Sequence, residues 1–166
     1  MPAPIDRKVL SRPEIAQLEG AATSERDKLI VRILADCGVR PGELSGLTTD
    51  SIRRRDDGMA FLKVVRGKGD REQFVPILPD LAARIERFIK DRPVDARGDH
   101  LFVSLRRGHD GGYAPLSQSS VAQLVRGLAD KAGITKRVHP HIFRHSYATE
   151  LIEVARAAAA RMSEDN

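Results

Sequence analysis

The chain of 166 residues is 41% hydrophobic and 31% charged, a composition that predicts one soluble globular domain with room for a small appendage. It has no apolar run of the roughly 20 residues that a membrane-spanning helix needs, and its single cysteine, Cys37, excludes an internal disulfide and favours the reducing cytoplasm. The net charge of +5 favours a polyanionic partner such as nucleic acid, but it is as typical of a protein that is simply well solvated.

The N-terminal part of the chain predicts two helices after a short tail. Residues 1–10 are expected to be a tail or the end of a linker. Ser11 to Glu14 form a capping-box pattern that predicts a helix as far as about Glu19. A second helix begins at Ser24 and ends at Gly38, and its apolar residues keep a helical period: Leu29, Ile30, Ile33, Leu34 and Cys37.

Arg40 lies at the entry to a third predicted helix. Pro41 directly follows it, and proline favours the first turn of a helix. The guanidinium would therefore lie beside backbone N–H groups that have no partner within the helix, which suits an arginine that holds a phosphate. Taken alone, the same pattern is more typical of an exposed arginine at a turn.

Residues 51–78 change from helical to strand-like periodicity. Two turn signals, at 56–58 and 66–70, separate β-rich runs at 59–65 and 72–78. Short glycine turns between such runs predict a three-stranded antiparallel sheet. Lys68 lies at the tip of the second hairpin between two glycines, where it can approach a phosphodiester, although most lysines at such tips only keep a protein soluble.

Helices predominate again after the sheet. Pro79 begins a helix, Leu101-Phe102-Val103 is a candidate short strand, and residues 104–116 form a loop rich in Gly and Arg. Ser117 is predicted to cap a further helix that Gly133 ends. The chain is therefore expected to be an α+β protein, mainly helical, with a three-stranded antiparallel sheet at one edge.

The last helix carries the pattern His-x-x-Arg-His at residues 141–145. At about 100° per residue, His141, Arg144 and His145 share one side, and two imidazoles beside a guanidinium can hold an anion and move a proton near neutral pH. By itself the pattern is more typical of an ordinary polar face, and the sequence has no metal-ligand spacing. The rest of the helix is expected to anchor it in the core through Ile142, Phe143, Tyr147, Leu151 and Val154.

Together these pieces resemble the catalytic domain of the tyrosine recombinases, the phage integrase family. Three motifs carry the resemblance: Arg40-Pro41-Gly42-Glu43-Leu44 for the first arginine, Lys68 followed by Val75-Pro76 for the hairpin lysine, and His141-Ile142-Phe143-Arg144-His145 for His-x-x-Arg. Each motif is loose, but their order and their predicted positions on helix, hairpin and helix agree. The similarity runs from about Ser11 to Ile152, and the catalytic core is assigned to residues 11–154.

The resemblance implies an enzyme that cleaves and rejoins double-stranded DNA through a phosphotyrosyl intermediate. It also implies other recombinase protomers as partners on the DNA, and no cofactor, metal or membrane. Arg40 and Arg144 would donate to the phosphate oxygens, His141 would accept the proton of the attacking tyrosine, and Lys68 would protonate the leaving oxygen. Glu43 and His145 are expected to orient the arginines and the phosphate.

The resemblance leaves the nucleophile unassigned. The family's N-terminal DNA-clamping domain has no counterpart here, and after Glu153 neither its second His or Trp nor its nucleophilic tyrosine is recognisable. Residues 155–166, rich in Ala and Arg, are expected to be a loosely held tail, even if helical. The chain is predicted to be a recombinase core that is inactive alone; the alternatives are a DNA-binding remnant without chemistry and a type IB topoisomerase-like core.

Tyr113 and Tyr147 are the two tyrosines of the sequence. Tyr147 falls beside Phe143 on the helix and is predicted to pack in the core, with its hydroxyl hydrogen-bonded. Tyr113 follows Gly111-Gly112 in the loop and lies outside every motif. Neither is predicted to be the nucleophile.

Overall fold

The computed structural model describes residues 9–66, 71–92 and 98–165, in which six helices and three strands follow one another. Their order and bounds are α1 (Arg12–Ala21), α2 (Glu25–Cys37), α3 (Pro41–Ser45), β1 (Ile52–Arg54), β2 (Ala60–Arg66), β3 (Arg71–Ile77), α4 (Pro79–Lys90), α5 (Gln118–Ala132) and α6 (Pro140–Glu164). This order confirms the predicted α+β fold, mainly helical, with its strands between helices α3 and α4.

Three of the helices begin at a serine, as the sequence predicts. Ser11 Oγ accepts a hydrogen bond from the Glu14 N–H (3.2 Å), and the Glu14 carboxylate accepts one from the Ser11 N–H (2.9 Å), so the capping box is formed. Ser24 and Ser117 cap α2 and α5, each through the backbone N–H three residues further on. These caps fix where the helices begin, and hence which of their faces turn to the core.

Helix α2 is the centre of the core. Its residues Leu29, Ile30, Val31, Ile33 and Leu34 are all fully buried, and α1, α3, α4, α6 and β3 pack around it. Because a close-packed interior allows few alternative arrangements, the C-terminal end of α2 is held in one position. The loop that carries Arg40 starts from that end.

The three strands form an antiparallel sheet in the order β1-β2-β3. Leu62 of β2 pairs with Ile52 of β1 on one side and with Val75 of β3 on the other. Alternate residues of β2, namely Ala60, Leu62 and Val64, face the core, where the sheet meets α2, α3 and α4. The predicted sheet is confirmed, whereas Lys68, between β2 and β3, lies outside the described residues.

The prediction of a short strand at Leu101-Phe102-Val103 is wrong. The backbone around it forms two isolated bridges, Thr48 with His100 and Val103 with Pro115, rather than a ladder. All three side chains are nevertheless buried. The apolar run is therefore a buried segment without a strand ladder. The hydrophobic pattern of the sequence cannot distinguish such a segment from a short buried strand.

Helix α6 is buried only near its beginning. Ile142 and Phe143 are 4% and 0% exposed, whereas Leu151 and Val154 are 51% and 60% exposed. The expected anchoring by Leu151 and Val154 is therefore wrong. The second half of the helix extends past α2 and α5, against which its first half packs.

Residues 155–164 continue α6, and every side chain from 151 to 165 is exposed. An alanine-rich sequence favours helix through its intrinsic propensity, without tertiary contacts. How tightly this segment is held stays a prediction, as does the division of the chain between residues 154 and 155.

Candidate active site

Arg40 is placed by a tight junction between α2 and α3. Gly38 ends α2 with a left-handed backbone (φ 62°), and Val39 is fully buried. Arg40 then serves as the N-cap residue of α3, with an extended backbone at ψ 156°. Its side chain is exposed, so the junction presents a guanidinium to solvent from a firmly held backbone.

Glu43 is the buried carboxylate at this junction, with a side chain only 7% exposed. Its Oε1 accepts a hydrogen bond from the backbone N–H of Arg40 (2.8 Å). Its Oε2 lies 2.9 Å from Nε of Arg66, in an ion pair whose atoms are not aligned as a hydrogen bond. Because a buried charge without partners is costly, these contacts explain how a carboxylate is tolerated here.

Arg144 reaches the same junction from α6. Its Nη1 donates to the carbonyl oxygen of Gly38 (3.1 Å) and lies 3.8 Å from Oε1 of Glu43. Arg144 is partly buried, with 34% of its side chain exposed. The structure thus brings Arg40 and Arg144, which are distant in sequence, onto one short segment of backbone and one shared carboxylate.

The two histidines of the His-x-x-Arg-His pattern lie on the first turns of α6 and are both exposed. The ring of His141 lies 6.0 Å from the ring of His139, centroid to centroid. For His145, no hydrogen bond or ion pair to another described residue is formed, so it does not contact either arginine in this way. Its expected orienting role stays a prediction, as do the roles of Arg40, Lys68, His141 and Arg144.

Arg66 is the residue of the site that the sequence analysis did not single out. It is the last residue of β2 and follows Ala60, Leu62 and Val64 on the core-facing side of the strand. Successive side chains of a strand point to opposite faces, so Arg66 falls on the same face as the buried apolar residues of β2, where a charged residue is unusual. The alternation in the sequence could therefore have identified Arg66 as an arginine that needs a buried partner. In the structure that partner is Glu43.

Tyr147 packs its ring against Gly38. A Cβ atom added to Gly38 would lie 2.2 Å from Cδ1 of Tyr147, so the ring occupies the space that any other residue at position 38 would need. The side chain is half-buried rather than fully in the core. Burial raises the pKa of the Tyr147 hydroxyl, Cys37 adds to the rise, and Arg66 opposes it.

Within the described ranges, no group of three or more His, Cys, Asp and Glu side chains is placed to hold a metal ion. The same ranges contain no helix both long and apolar enough to cross a membrane.

A mainly helical domain with a three-stranded sheet at one edge matches the fold of solved integrase and recombinase structures. A crystal structure of XerA recombinase superposes with a TM-score of 0.73 at 33% identity, over 87% of this chain and 50% of that one. The lambda integrase catalytic core superposes with a TM-score of 0.61 at 17% identity, over 85% of this chain and 81% of that one. The second likeness shows the fold alone.

The chain belongs to the phage integrase family, whose family model matches residues 8–159. It is 34% identical over 146 residues to tyrosine recombinase XerA of Pyrococcus horikoshii, covering 88% of this chain and 48% of the relative. It is 38% identical over 132 residues to tyrosine recombinase XerD of Chlorobaculum tepidum, covering 77% and 40%. The chain therefore spans less than half the length of these two relatives.

Proposed function

We propose that this chain is the catalytic core of a site-specific DNA recombinase, which cleaves and rejoins DNA strands through a phosphotyrosyl intermediate. The observation that carries the proposal is the junction at Gly38 to Glu43, where Arg40 begins α3 and Arg144 is bound from α6. Membership of the phage integrase family supports it.

The chemistry explains why two arginines are useful here. When a phosphodiester is attacked, negative charge builds on its non-bridging oxygens, and planar guanidiniums can donate to two of these oxygens at once. Donors that are held in place before the reaction stabilise this charge without reorganisation, and each is typically worth about 10²–10³ in rate. The buried contacts of Glu43 and Gly38 supply that fixed placement for Arg144 and for the backbone of Arg40.

His141 and Lys68 complete the proposed machinery as proton carriers. An unperturbed phenol has a pKa near 10, so a tyrosine nucleophile needs a base near neutral pH, and the exposed His141 is free to meet a substrate. Lys68 is proposed to protonate the leaving oxygen, as the hairpin motif implies.

Duplex DNA and further protomers are the proposed partners. Solved neighbours of the fold include a lambda integrase dimer bound to a core site and the Tn1549 transposon integrase in complex with circular intermediate DNA. Those assemblies concern the named proteins; for this chain, the positive charge of +5 supports a polyanionic partner. Cytoplasmic action is proposed with it, because a single free cysteine suits a reducing compartment.

DNA binding by this chain tests the proposal. Wild type, Arg40→Gln, Arg144→Gln and the control Arg87→Gln are compared on a short duplex by fluorescence anisotropy as salt rises from about 50 to about 200 mM. Arg87 is exposed on α4, which packs on α2 and the sheet. We expect weak binding with little sequence preference, and each site variant should reduce the log–log salt slope by about one. Absence of wild-type binding at low salt, or equal slopes for all four proteins, would contradict the proposal.

A further inference from the structure

A basic cavity lies beside the start of α6. Its volume is about 550 Å³, and its walls come from Pro41 of α3, the first turns of α5, and the segment 137–141. No acidic side chain lines it. The cavity shares one wall, His141, with the candidate active site.

Three side chains that carry or can accept positive charge converge on this cavity: Arg137, His139 and His141. Arg137 is exposed and forms no ion pair with the rest of the described chain. His139 is the N-cap residue of α6, but its side chain makes no capping hydrogen bond, and its ring lies 6.0 Å from that of His141. The cluster therefore lacks the negative partner that its charges would favour.

The surroundings of His139 also favour a bound anion. Burial lowers the pKa of His139, and the neighbouring His141 and Arg137 lower it further. The other elements at the cavity add no titratable group, because α5 contributes Gln118, Ser119 and Ala122 and α3 contributes Pro41. A bound anion would relieve this repulsion, and the Gln118 amide and Ser119 hydroxyl offer neutral donors to it.

We propose that Arg137 and His139, beside His141, bind a second DNA phosphodiester, next to the one held by Arg40 and Arg144, and that protonation of His139 strengthens this binding. The proposal rests on the proposed function, which supplies the DNA. The position suits it: His141 lines the cavity with Arg137 and His139 and precedes Arg144 by three residues, about one turn of α6. The cavity is therefore next to the site proposed for the first phosphate.

The proposal fixes the direction of a pH effect. In the free chain His139 holds its proton weakly, and a bound phosphate favours the imidazolium form. Binding therefore takes up a proton, and the contribution of His139 to affinity should grow as the pH falls from about 8 to about 5. His141 is a second imidazole at the cavity, so the informative quantity is the difference in affinity between wild type and a His139 variant at each pH.

The test uses the full chain, a short DNA duplex, and affinity measured against salt at the two ends of that pH range. Arg137→Gln removes an exposed charge, and His139→Asn keeps a residue type that is favoured at a helix N-cap, so both variants should fold. We expect Arg137→Gln to reduce the log–log salt slope by about one at both pH values. His139→Asn should lose part of the affinity gained at low pH, while Arg87→Gln should match wild type in both respects.

Arg40→Gln and Arg144→Gln, measured beside these, separate this inference from the function on which it rests. If Arg137→Gln and His139→Asn behave as Arg87→Gln at both pH values while Arg40→Gln and Arg144→Gln still reduce the slope, the second phosphate site is wrong and the recombinase core stands. If none of the four site variants changes the slope, both proposals are wrong.

Discussion

Glu43 is the single residue on which the geometry of the candidate site most depends. Its carboxylate is buried, accepts the Arg40 N–H and pairs with Arg66. Glu43→Ala would leave both partners without that carboxylate, which typically costs about 1–3 kcal/mol for each buried group left unsatisfied. We therefore expect the free energy of unfolding, measured by urea denaturation, to fall by at least about 1 kcal/mol.

Glu86→Ala is the matched control for Glu43→Ala. Glu86 also pairs with an arginine, Arg54, but both side chains are about 40% exposed. Ion pairs at the surface contribute at most about 1 kcal/mol, so this variant should lose little stability. Equal losses of unfolding free energy in the two variants would contradict the prediction that burial makes the contacts of Glu43 more stabilising than those of Glu86.

The contact between helices α2 and α6 sets the position of Arg144. Gly38 combines a left-handed backbone with the ring of Tyr147 where a Cβ would lie. Gly38→Ala should therefore lose about 1–2 kcal/mol from backbone strain and a further 1–3 kcal/mol, about the cost of overpacking. Because Arg144 donates to the Gly38 carbonyl, the same change should also weaken DNA binding by this chain.

Gly133 provides the control for this prediction. It ends α5 with a similar backbone (φ 74°), but an added Cβ would meet nothing within 4 Å. In urea denaturation, Gly133→Ala should show the backbone strain alone. In a Tyr147→Ala background, Gly38→Ala should then cost no more than Gly133→Ala does. A Gly38→Ala loss that stays the same with and without the Tyr147 ring would contradict the packing argument.

At the scale of the whole molecule, we predict that neither tyrosine of the chain acts as a nucleophile. Tyr147 is half-buried against Gly38 on the rigid helix that carries Arg144, and burial raises the pKa of its hydroxyl, which disfavours the reactive phenolate. Tyr113 lies in the 104–116 loop with the Arg107 guanidinium 5.5 Å from its ring centre. We expect this chain, by itself, to form no covalent bond to DNA.

A nicked suicide substrate, which traps phosphotyrosyl links, checks this expectation. After incubation with the protein, denaturing gels should show no DNA-shifted band, while an active tyrosine recombinase on its own site gives one. A band that disappears in Tyr147→Phe or Tyr113→Phe would mean that the chain carries its own nucleophile.

Local signals in the sequence determined much of the fold. The capping serines, the glycines that end α2 and α5, and the turn chemistry around 56–58 each act within a few residues, so their structural result could be predicted without the rest of the chain. The same holds for the helix that carries His141 and Arg144 on one side, because its period is local. Intrinsic propensity likewise favours helix in the alanine-rich segment after residue 154, although the sequence analysis left its helical state open.

Only the tertiary structure decided which of these pieces meet. The partners of Glu43 come from β2 and α6, the ring on Gly38 comes from Tyr147, and the histidine beside His141 shares a cavity with α5. Leu151 and Val154 have the right period for a core face, yet both are more than half exposed and line an open cavity. Periodicity gives the direction in which a side chain points from its own helix or strand, whereas burial and pairing depend on what the rest of the chain places opposite it.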